Sequence, residues 1–234
     1  MPNGMMTANR SLLALLAGVL ALLITPAAAA DSPNWTKTKL GRIEAFALLE
    51  SLEIELLSHD SATLTLDDWC SRHHIEATDS KIIAERVAGV DKPASAEQRR
   101  LLGVGEEEPI RYRRVRLRCG AHILSEADNW YVPSRLTPAM NTALDTTDTA
   151  FGRVVQPLHF RRQTLSARLL WAPSPDGWDT DPPPTGGMSS GRKVPDHVIE
   201  NRASLVLGDG TPFSEVIESY TSEVLDFTPP KLAR

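Results

Sequence analysis

Cysteine is nearly absent: Cys70 and Cys119 are the only two in 234 residues. Two cannot build the disulfide framework that holds small secreted scaffolds together. They suit one bridge or two buried thiols equally well. Histidine is also scarce. His73 and His74 are adjacent, so their side chains diverge, and no other His or Cys stands at metal-ligand spacing. No metal is expected. Charge of one sign is lacking too, since a net −5 gives no reason to expect nucleic acid or a membrane surface as a partner. The pentad Gly187-Met188-Ser189-Ser190-Gly191 matches G-x-S-x-G but lacks the strand before and helix after that strain a nucleophilic serine into place. It is not a nucleophile elbow.

What the first 30 residues do hold is a leader. Arg10 is their only charge, Leu12 to Ile24 is an apolar run, and Pro26-Ala27-Ala28-Ala29-Ala30 supplies small residues. The run is shorter than the ~20 residues a spanning helix needs, so the segment reads as a secretory signal cleaved after Ala30. No cysteine follows it, which argues against a lipoprotein. A periplasmic or secreted protein is expected, with no membrane contact after cleavage. The mature chain of about 204 residues suits one domain with a real core, and a monomer is expected.

Apolar residues at Ile43, Phe46, Leu49, Leu52 and Leu56 predict a helix over Gly41–Ser58. A shorter helix is expected over Thr65–His73, a strand over Lys81–Val90, and a helix over Ser95–Leu102 stopped by Gly103 and Gly105. Pro138–Asp148 reads as helical and Arg162–Trp171 as a strand. From Ala172 to His197 the chain turns rich in Pro and Gly, which predicts a flexible insertion inside the domain.

One hairpin pattern occurs twice, 89 residues apart: RRVRLRCGAHILSEADNWY from Arg113 and RASLVLGDGTPFSEVIESY from Arg202. The copies share Arg113/Arg202, Ser125/Ser214, Glu126/Glu215 and Tyr131/Tyr220. Two such hairpins make one antiparallel sheet, which must cover a face. The fold class expected is α+β: about six antiparallel strands with helices on one face enclosing a ligand cavity. Arg111, Arg113, Arg114, Arg116 and Arg118 lie on one strand. Most serve a solvated face, but side chains alternate, so one of the adjacent Arg113 and Arg114 turns inward. A guanidinium there needs an anion, and its fork suits a carboxylate. Glu215 and Glu218, three apart, face opposite sides, so one of them also looks inward.

These hairpins resemble the chorismate lyase family, whose superfamily includes the sensing domains of GntR-type regulators. The resemblance rests on Arg114-Val115-Arg116-Leu117-Arg118-Cys119 ending at Val132-Pro133, on Ala150-Phe151-Gly152-Arg153, on Gly210-Thr211-Pro212, and on Asp60-Ser61-Ala62-Thr63. It covers residues 41–171 and 199–225. It implies cofactor-free elimination of pyruvate from chorismate to give 4-hydroxybenzoate, with Arg114 holding a carboxylate and Glu218 meeting the ligand hydroxyl. Ala62 and Phe151 fall on the family's two apolar or backbone contacts, where Ala replaces Met and Phe replaces Leu. The alternative is an exported, non-catalytic binding or sensing protein for a small aromatic or cyclic carboxylic acid.

The leader carries its own test. Protein recovered from a native host should begin at or near Asp31 on N-terminal sequencing; a soluble cytoplasmic product starting at Met1 would remove the export assignment.

Overall fold

A computed structural model of the chain describes residues 35, 38–76, 80–172 and 193–228. The leader, the serine pentad and most of the Pro/Gly-rich insertion lie outside the described residues. The described part is one compact α+β unit. Its strands are β1 (Ile83–Arg86), β2 (Arg111–Cys119), β3 (His122–Tyr131), β4 (Arg161–Leu169), β5 (His197–Val206) and β6 (Pro212–Thr221), and its helices are α1 (Lys39–Ser58), α2 (Ala62–Arg72), α3 (Ala96–Leu102), α4 (Pro138–Thr146) and α5 (Phe151–Val154). All six strands form one sheet in the order β1-β2-β3-β6-β5-β4, with every pair antiparallel.

Local chemistry sets the elements. Thr38 caps α1 by accepting from the Gly41 amide. α2 starts three residues before the expected Thr65 because Ser61 is its cap, accepting from the Leu64 amide. Ser95 and Gln98 form a reciprocal capping box on α3, and Gly103, in the left-handed region at φ 60°, ends it. Left-handed glycines also turn both hairpins, Gly120 at φ 57° and Gly210 at φ 86°.

The two hairpins lie side by side, joined through β3 and β6. Asp128 pairs with Ile217, and these are the same position in the two copies. Ser125 therefore faces Tyr220 while Tyr131 faces Ser214, a register symmetric about a local pseudo-dyad. Within the hairpins the copies differ by one step. Arg113 pairs with Asn129, but the matching Glu218 pairs with Asn201 rather than Arg202. A one-residue slip exchanges the faces of a strand, so Arg202 is the counterpart of Arg114 in space.

Leu49, Leu52 and Leu56 of α1 and Leu66 and Trp69 of α2 pack with Val115, Leu117, Ala203, Val216 and Tyr220 on the inner sheet face. A second cluster gathers Tyr131, Leu144, Val155, Phe160, Leu205 and Phe213. α3 departs from the expected one-sided cover. It packs against β6 from the outer face, where its Glu97 and the fully buried Glu215 both pair with Arg202.

Cys70 of α2 and Cys119 of β2 are joined in a disulfide with a sequence separation of 49, so the bridged alternative is the one adopted. Loop-closure entropy gives such a crosslink roughly 4 kcal/mol as an upper figure. Replacing both cysteines by serine should lower the urea unfolding free energy by about 2–4 kcal/mol, and reductant should do the same to the parent protein but not to the variant.

Candidate functional site

A cavity of about 50 Å³ lies at the seam of the two core clusters. Val115, Leu117, Ala127, Leu205 and Val216 form its apolar floor. Asp60 to Thr63 and Phe151-Gly152 border it from the start of α2 and from α5, and its polar groups include Arg113, Asn129, Arg162 and Glu218. The fit between the helix starts is close. A Cβ on Gly152 would lie 2.6 Å from Ser61 Oγ, so no larger residue fits without movement. The amides of Ala62 and Thr63, in the first turn of α2, have no intrahelical acceptor and add donor character at the rim.

Of the residues named from sequence, Ala62, Phe151 and Glu218 line this cavity. Arg114 does not. It stands on the outer face, 3.3 Å from Asp128 and 3.5 Å from Glu126, within a ladder that continues through Arg116 and Arg118 to Glu85. Arg113 takes the inward place, only 4% exposed. The signal was in the strand itself: Val115, Leu117 and Cys119 are its buried apolar positions, and Arg113 shares their parity. Glu215 lies on the outer face with Arg202 at 2.7 Å, so the two glutamates do face opposite sides.

Arg113 is unusual in its solitude. Among the described residues no carboxylate lies within ion-pair distance of it, Nε and Nη1 have no hydrogen-bond partner, and Nη2 makes one long contact of 3.4 Å to the Thr149 carbonyl. Burial, reinforced by repulsion from Arg86, pulls its pKa below the ordinary value. A guanidinium held dry and unpaired is a costly arrangement that an anion would relieve.

The opposite wall is already neutralised. Arg162, on β4, ion-pairs with Glu218 at 2.5 Å, and both side chains are buried. Tyr220 donates to the same carboxylate oxygen at 3.0 Å. Burial, with the Glu218 charge beside it, raises the Tyr220 phenol well above its usual range. Behind them the Asn201 amide donates to Glu53, whose pKa burial raises despite that bond. Sequence reasoning passed over Arg162, although Arg161-Arg162 are adjacent and the parity argument applied to Arg113-Arg114 holds there equally. Among the described residues no group of His, Cys, Asp or Glu could hold a metal ion.

Glu218→Gln would leave Arg162 buried without its counter-charge. The variant should lose about 3–5 kcal/mol of unfolding free energy, read by urea titration at neutral pH, whereas Glu126→Gln on the solvated ladder should cost about 1 kcal/mol or less.

No protein-family model matches the chain. Its fold is similar to that of PhnF from Mycobacterium smegmatis, 13% identical, with 75% of this chain and 70% of that chain covered and a TM-score of 0.46. It is similar also to the ligand-binding domain of a putative GntR-family transcriptional regulator from Bordetella bronchiseptica, 12% identical, covering 68% and 93% of the two chains with a TM-score of 0.41. In sequence it is 54% identical over 199 residues to the uncharacterized protein y4mC of Sinorhizobium fredii, spanning 85% of this chain and 84% of that one. The chain belongs to the family of that Sinorhizobium protein.

Proposed function

We propose that this protein binds a small carboxylic acid, aromatic or cyclic, in the cavity at Arg113, without a cofactor, and that it acts as an exported binding or sensing protein. The observation that carries the reading is the buried, unpartnered Arg113 guanidinium at the wall of an otherwise mostly apolar cavity. An apolar pocket with a few fixed polar groups is the usual form of a small-molecule site. The leader and the Cys70–Cys119 bridge agree with an oxidising compartment. The mild negative charge supports a small molecule rather than nucleic acid as partner.

Chorismate lyase-type elimination is the second reading, favoured by Glu218 in the same cavity as an arginine. One fact weighs against it: Glu218 is committed to Arg162 and Tyr220.

Calorimetry with 4-hydroxybenzoate separates the cases. Arg113→Met should weaken binding by 2–4 kcal/mol, roughly thirtyfold or more, while Arg114→Ala leaves the affinity within about twofold. The same Arg113→Met change should stabilise the unliganded protein by about 1 kcal/mol, because it removes a buried unpaired charge. Equal affinity in parent and Arg113→Met would end the reading. Pyruvate released from chorismate by the parent would favour the lyase.

A further inference from the structure

The cavity at Arg113 does not stand alone, and its surroundings indicate what else a ligand can meet. A cleft of about 340 Å³ adjoins it, and Asp60, Ser61 and Phe160 line both. Phe160 stands between the two, directly after His159, which holds the left-handed conformation at φ 47°. The cleft is acidic. Glu55, Asp60 and Asp68 line it, and among the described residues the one cation paired with them is Arg72, at 2.5 Å from Glu55 and 2.8 Å from Asp68. Three carboxylates against one guanidinium leave the cleft negative while its His59 and His159 are neutral, and the adjoining cavity carries the unpaired Arg113.

A simple anion on Arg113 shares its cavity with Asp60, whose carboxylate repels it. A molecule with a carboxylate at one end and a cation at the other meets attraction at both. Asp60 is the group best placed for the cationic end. Its Oδ1 accepts from the Arg162 amide at 2.8 Å, whereas Glu55 and Asp68 are already engaged by Arg72.

We infer that the ligand is a zwitterion, its carboxylate on Arg113 and its amine or other cation in the cleft beside Asp60. This rests on the reading that Arg113 binds a carboxylate. It adds the second charge and the second compartment.

The test uses isosteric pairs on the full mature chain in low-salt calorimetry: β-alanine against butanoate, 6-aminohexanoate against heptanoate, and 4-(aminomethyl)benzoate against 4-ethylbenzoate. In at least one pair the zwitterion should bind roughly three- to tenfold tighter than its uncharged-tail isostere, the scale of one partly screened charge pair. That ratio should fall toward one in Asp60→Asn, whose amide oxygen still accepts from the Arg162 N–H, and in about 0.5 M salt. Anion affinity equal to or above zwitterion affinity in all three pairs would overturn the zwitterion and leave the carboxylate site standing. Absence of binding by every acid, or binding unchanged in Arg113→Met, would overturn both.

Discussion

Everything in the sheet depends on the pairing of β3 with β6 at its centre. That register fixes which side of each hairpin looks toward the helices, because side chains alternate and a single-residue shift would exchange the two faces of a strand. Asp128 opposite Ile217 sets Asn129 and Glu218 on the inner face together and Glu126 and Glu215 on the outer one. The pseudo-dyad thus brings matching positions of the two hairpins onto one cavity wall, an amide in one and a carboxylate in the other.

Charge is handled differently on the two faces. Outside, arginines and carboxylates alternate in a ladder from Lys92 through Asp128 to Glu85, in which every guanidinium has water as an alternative partner. Such pairs define strand order more than they stabilise it. On the inner face the side chains are buried, and a charge there costs free energy unless a specific neighbour answers it. Glu218 is answered by Arg162 and Tyr220. Arg113 is left without an ion-pair partner among the described residues, and this asymmetry within one cavity is what the proposed ligand would resolve.

Much of the fold was legible because it is written in short-range chemistry. The α1 pattern, the glycines that stop α3 and the repeated hairpin placed their elements within a few residues of where they lie. α3 on the outer face was not legible, since a seven-residue helix shows no period that says which surface it covers. The site was half legible. Parity required one inward arginine and one inward glutamate, and it identified the pairs correctly. The family resemblance then moved the arginine one residue along, to Arg114, against the apolar alternation of Val115, Leu117 and Cys119. Arg162 was missed for another reason. Its importance arises from proximity to Glu218, 56 residues away, and no local pattern encodes that distance.

Gly152 stands where α5 meets the first turn of α2, with Ser61 Oγ 2.6 Å and Thr63 Oγ1 3.0 Å from the place a methyl would take. Ser61 is also the cap of α2, so it cannot retreat without uncapping the helix that borders the cavity. Positions 61, 63 and 152 are therefore sterically coupled. A chain of this fold that gains a side chain at 152 must shorten or redirect those at 61 and 63, and in doing so alters the mouth of its own pocket.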